Sequence, residues 1–136
     1  MIGSRLVLAG RAARQEVPEY LAAMDIVSLP QSVDQVGSFR YTTKISEYLA
    51  AGLPIVTGQI PLAYDLDQGW LWRLPGSSPW ARTYIESLAR LIDALAPAEI
   101  AAKTSAIPRD CGEFDRERQV ARATAFITDL LRDQRE

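Results

Sequence analysis

The chain has 136 residues, 48% of them hydrophobic, with 15 lysines and arginines, 17 acids and no histidine. That is one domain's worth of chain, and such a domain buries roughly two-thirds of its unfolded surface. The missing histidine excludes histidine general bases, Ser-His triads and His-ligated zinc, and a mixed net charge of −2 favours neither nucleic acid nor an anionic membrane as partner. The single cysteine, Cys111, cannot form an internal disulfide, which suits a reducing cytoplasm. No apolar stretch approaches the ~20 residues that span a bilayer, and the first residues lack the charged and apolar regions of a signal peptide.

Arg5 to Ala9 is a short apolar run closed by Gly10 and reads as a strand. Pro18 suits the first turn of a helix, and Glu19 to Met24 are good helix formers. Asp25 to Pro30 reads as a second strand ended by proline, and the polar, glycine-containing residues 31 to 42 read as a loop. A helix over 43–51 follows. Gly52 can take the left-handed conformation that ends it, and Pro54 cannot continue it. A β-branched strand runs over 54–58, and Pro61 to Leu66 reads as a short helix. Trp70 to Leu74 reads as a fourth strand. Ser78 and Pro79 signal a helix start, and Ile85, Leu88, Leu91, Ile92 and Leu95 form one apolar stripe, with Pro97 as breaker. Residues 98 to 106 are alanine-rich and helical in character. The last segment, 114 to 132, sets Val120, Ala123, Ile127, Leu130 and Leu131 on one face.

Alternation of strand and helix, with nearly continuous apolar strands, predicts an α/β fold. The expected form is a Rossmann-like three-layer domain with a mostly parallel sheet of four or five strands and helices on both faces. In such sheets ligands sit at the carboxyl ends of the strands, where the strand order reverses. Gly10-Arg11, the loop from Gln31 to Thr42, and Thr57-Gly58-Gln59 would meet there. The helix start at Thr42-Thr43 offers unpaired amides and a positive dipole end, and Lys44 and Glu47 share one face. A cation beside amide donors, with a carboxylate one turn on, suits a ligand with phosphate at one end and hydroxyls nearby. A Lys–Glu pair at this spacing is also, most often, an ordinary solvated surface pair.

At these residues the sequence resembles the carboxyl-terminal half of GT-B-fold, group-1 retaining glycosyltransferases. The matching segments are Gly10, Val17-Pro18-Glu19-Tyr20-Leu21, Ala23 to Pro30, and Lys44 to Val56, in the family's order. The resemblance covers roughly residues 5 to 75. It implies a nucleotide-diphosphate sugar of the UDP or GDP type as substrate, with no metal or other cofactor. It also implies that Glu47 accepts hydrogen bonds from the ribose hydroxyls. Tyr41, Thr42 and Thr43 would present amides to the diphosphate or sugar, Lys44 would assist the phosphates, and Gly10 and Arg11 would lie near the base.

The sequence departs from the family's pattern in four ways. Phe39 stands where many members carry a second glutamate, leaving Asp34 or another loop residue to replace it, and Tyr41-Thr42 stand where Phe-Gly is common. The family's first strand of this half has no counterpart before Arg5. The acceptor-side domain is absent, so a partner is expected: an acceptor-domain subunit, or a homodimer through the exposed stripe of the last helix. Catalysis by this polypeptide alone is therefore not expected. Two rival readings are a non-catalytic interaction module on the same scaffold and a flavodoxin-like regulator. The lack of an acidic cluster after strand one and of a glycine-rich phosphate loop counts against the latter. Trp70, Trp72 and Trp80 read as packing residues, and Asp65 and Asp67 as turn residues.

Overall fold

The computed structural model describes residues 7–40, 42–110 and 112–133. Three parallel strands, β1 (Val27–Leu29), β2 (Ile55–Thr57) and β3 (Leu71–Arg73), pair in the order β1-β2-β3. Val27, Ile55 and Leu71 stand abreast, as do Ser28, Val56 and Trp72. Six helices among the described residues accompany them: α1 (Val17–Ala22), α2 (Lys44–Ala50), α3 (Pro61–Asp65), α4 (Arg82–Ala94), α5 (Pro97–Ser105) and α6 (Arg116–Asp133).

Side-chain alternation along the strands builds two cores, because successive residues point to opposite faces. Val27, Leu29, Ile55 and Leu71 face one side, where Ile45 and Leu49 of α2, Ala63 of α3 and, half-buried, Leu21 of α1 cover them. Val56, Trp72 and Leu74 face the other, under Tyr84 and half-buried Leu88, Leu91 and Leu95 of α4. Helices thus lie on both faces of a parallel sheet, as the alternating pattern predicts. Thr57, buried at β2's end, donates its hydroxyl to the Leu29 carbonyl at 2.9 Å, so its burial leaves no polar group unpaired.

Helix α2 ends as the sequence predicts. Gly52 has φ +71°, its amide donates to the Leu49 carbonyl, and the Leu53 amide donates to the Tyr48 carbonyl. This is a Schellman closure, with Leu53 and Tyr48 packed into the same core. Side chains in the loop after β1 bond to the loop's own backbone. Buried Gln31 donates Nε2 to the Gly37 and Arg40 carbonyls at 2.8 and 3.0 Å. Asp34 accepts the Val36 and Gly37 amides on Oδ1 and the Ser32 hydroxyl on Oδ2. These bonds, the Gly37 amide first, hold the Asp34 carboxyl below the usual aspartate range.

Several expectations are corrected. The sheet has three described strands, not four or five. Of the strand expected over 5–9, residues 5 and 6 lie outside the described residues, and Val7 and Leu8 are 88% and 86% exposed with no ladder partner. An apolar run provides a strand's buried faces but not the neighbour that satisfies its backbone. Helix α4 begins at Arg82 rather than Pro79, because Ser78 to Ala81 form a turn closed by the Ala81 amide on the Ser78 carbonyl. Its buried stripe is Tyr84, Leu88, Leu91 and Leu95, while Ile85 and Ile92 face out. Tyr84 displaces Ile85 because an aromatic ring one position back reaches the second core. Pro97 does not merely break α4; it opens α5 at the first helical position. Trp80 is 74% exposed, unlike buried Trp70 and Trp72.

Leu88→Ala should lower the unfolding free energy by about 2 kcal/mol, the low end for a half-buried leucine, while Ile85→Ala should cost under about 0.5 kcal/mol. Urea denaturation measures both, and the reverse ranking would mean that α4 presents its other face. The loop gives a pH test. A carboxylate with a depressed folded pKa contributes stability above its unfolded pKa and loses it as pH falls through the folded value. Hydrogen-exchange protection of the Val36 and Gly37 amides should therefore hold through pH 5 and fall only below the ordinary aspartate pKa of about 3.9. In Asp34→Ala that protection should be missing at every pH.

Candidate functional site

Helix α2 runs from the carboxyl end of β1 back to the amino end of β2, so its first turn lies toward the strands' carboxyl edge. Ile45 and Leu49 point into the core. That leaves Lys44, Glu47 and Ala51, at intervals of three and four, on a side facing away from it. With Ala50 they form one wall of a groove of about 660 Å³. Val17, Pro18 and Leu21 of α1 form the opposite wall, and the segment carrying Arg11 and Arg14 contributes the rest. That segment is turned by Glu16, whose carboxylate accepts the Ala13 amide at 2.8 Å while its own amide donates to the Ala13 carbonyl at 3.0 Å.

The groove joins an apolar interior to a charged margin. Lys44 Nζ donates to Glu47 Oε2 at 2.8 Å, with the two side chains 53% and 42% exposed. The bond and charge of Glu47 raise the Lys44 pKa, so its ammonium is fully retained at neutral pH. The lining holds three cations, Arg11, Arg14 and Lys44, and one carboxylate, Glu47, so it is cationic overall. At such exposure the Lys44–Glu47 pair adds little to stability and is free to exchange with a ligand.

Of the site residues expected from sequence, the fold brings Arg11, Lys44 and Glu47 to this groove. Gly10, with φ +74°, is exposed and does not line it, nor do Thr42 and Thr43. The Thr42 hydroxyl accepts the Lys44 amide at 3.3 Å, and the Thr43 carbonyl accepts the Ser46 hydroxyl at 2.6 Å. The Thr42 and Thr43 amides make no hydrogen bond among the described residues. Tyr41 lies outside the described residues, as does Cys111. Sequence reading missed Arg14. No local pattern marks it, because residues 11–13 lie outside any helix or strand and Arg14 reaches the groove through the turn at Glu16.

The groove's position also differs from expectation. The described strands run β1-β2-β3 without reversal, so no crevice of the reversing kind exists among them. The pocket forms instead between two helices on one face of the sheet. Asp34 is no stand-in for the glutamate missing at Phe39, because both its oxygens are engaged by its own loop. Asp67 is likewise a turn residue, accepting the Gly69 amide and pairing with Arg73.

Among the described residues no group of three or more His, Cys, Asp or Glu is arranged to hold a metal ion. No helix among them is long and apolar enough to cross a membrane. Set against known proteins, the chain matches no family model, no curated protein and no solved structure.

Proposed function

We propose that the groove between α1 and α2 binds the nucleoside-diphosphate portion of a UDP- or GDP-type nucleotide sugar. On this reading the chain is the donor-binding half of a GT-B, retaining glycosyltransferase. The observation that carries the proposal is the convergence of Arg11, Arg14 and Lys44 with Glu47 on one groove with apolar walls. Guanidinium and ammonium groups suit a diphosphate, with arginine offering two parallel donors to its oxygens. A carboxylate accepts from vicinal ribose hydroxyls. The walls of Val17, Pro18, Leu21 and Ala50 suit a flat base. The resemblance in Lys44 to Val56 agrees with these roles.

Glycosyl transfer needs more than this groove. Donor activation eases diphosphate departure with positive charge, and the acceptor hydroxyl must then attack in a dry cleft. The second carboxylate of the family's pattern is replaced by Phe39, and the acceptor would come from another domain or subunit. The reading is therefore of donor binding, with catalysis belonging to a larger assembly. A second reading is a non-catalytic interaction or dimerisation module. It is favoured by α6, where Val120, Phe126, Ile127, Leu130 and Leu131 are 47–65% exposed along one helix.

Calorimetric titration of UDP, GDP and their sugars should give saturable binding that the bare nucleosides do not reproduce. Glu47→Ala and Arg14→Ala should each weaken it about tenfold, or ~1.4 kcal/mol, less than for buried charged hydrogen bonds because both groups are solvated. Silence from every nucleotide, together with a concentration-dependent dimer in light scattering, would move the assignment to the interaction module.

A further inference from the structure

Helix α6 is roughly 27 Å long at about 1.5 Å per residue, and every residue from Val120 to Arg132 is exposed. No side of that stretch is buried against the domain. Only its first turns are tied down, where Gln119 donates Nε2 to the Gly112 and Glu113 carbonyls at 3.4 and 3.1 Å. A helix of this length standing alone in water is marginal, so α6 needs a cover. Val120, Ala123, Ile127 and Leu130, three and four apart, line one side, with Thr124 and Leu131 beside them.

We propose that this stripe is covered by α6 of a second copy of the chain, the two helices running antiparallel about a two-fold axis. The inference rests on the interaction reading of α6 and names its partner and geometry. Two features of the helix select this occupant and orientation. The first is size. The stripe is small in its first half, at Val120, Ala123 and Thr124, and bulky in its second, at Ile127, Leu130 and Leu131. An antiparallel pair lays the bulky half of each helix on the small half of the other, Leu130 over Val120 and Ile127 over Ala123. A parallel pair would set bulk on bulk and leave space at Ala123, which close packing disfavours. The second feature is charge. Glu117 and Arg132 stand about four turns apart, on the same flank at opposite ends of the stripe. Glu117 has no ion-pair partner among the described residues, and Arg132 has only a long, solvated contact with Asp129 at 3.8 Å. Antiparallel pairing puts Glu117 of each copy beside Arg132 of the other, whereas parallel pairing opposes like charges. Charges this exposed orient the encounter, and the apolar stripe supplies the affinity. A two-fold contact uses the same patch on both copies, so assembly stops at the dimer.

Analytical ultracentrifugation of the whole chain should show a concentration-dependent equilibrium between monomer and dimer. Ile127→Asp, a change at an exposed position, should weaken the dimer at least tenfold, and Glu47→Ala should leave it unchanged, since the two surfaces share no residue. Oxidative crosslinking reads the direction, in a Cys111→Ser background. Thr124→Cys, beside the axis, should link two copies. Val120→Cys should not, because antiparallel helices hold the two positions roughly 15 Å apart, beyond disulfide reach. Crosslinking at both positions would mean a parallel pair and overturn the proposal. A monomer at every concentration would overturn it together with the interaction reading. A dimer undiminished by Ile127→Asp would overturn it alone, leaving that reading to another surface.

Discussion

The rest of the fold depends on the burial of one strand on both its faces. Ile55, Val56 and Thr57 of β2 are at most 1% exposed, so each face of the sheet needs a covering layer. A parallel strand cannot return by a tight turn, and its crossovers place helices over it. Helices α2 and α3 cover the face of Ile55, and α4 covers the face of Val56. The α1–α2 groove is a by-product of that covering. Two short helices share one face, and their outward sides meet where neither is needed by the core.

The two edges of the sheet are finished differently. At β3, Lys103 of α5 donates Nζ to the Gly69 and Leu71 carbonyls at 3.0 and 2.8 Å and stands 4.8 Å from the Trp72 ring centre. Trp72 in turn donates to Glu99 at 2.7 Å. Carbonyls that would otherwise recruit another strand are thus occupied by a side chain, one of the ways a sheet edge is blunted. At β1 no further strand pairs among the described residues.

Local signals made most of the fold legible. Gly52 and Pro54 marked the end of α2, and the runs at 25–30, 54–58 and 70–74 each contain a strand of the sheet. These features are decided within a few residues. What escaped reading depends on tertiary partners. Residues 7–9 have strand composition but no strand neighbour among the described residues, and the buried stripe of α4 turns on whether Tyr84 or Ile85 reaches β2 and β3. The site followed the same rule. Lys44 and Glu47 were readable because helical spacing alone puts them together. Arg14 was not read, since its place depends on how the turn at Glu16 swings the chain against α2. The Asp34 carboxylate could be read as a free acid, until its own loop is seen to use both oxygens.

The Lys44–Glu47 pair is the bland feature as well as the proposed ligand contact, and chemistry reconciles the two. A carboxylate offers about four lone-pair positions over two oxygens, and an ammonium has three donors. The contact at 2.8 Å uses one position on Oε2 and one N–H, leaving Oε1 and two further donors on Lys44 without a partner among the described residues. Arg11 and Arg14 make no ion pair among the described residues. A ligand bringing both phosphate and hydroxyls would extend the pair rather than break it, with the phosphate joining three cations and the hydroxyls the remaining carboxylate oxygen. A phosphate without hydroxyls would use only the cations. The difference in affinity between a nucleoside diphosphate and inorganic pyrophosphate therefore measures what Glu47 and the apolar walls add to charge alone.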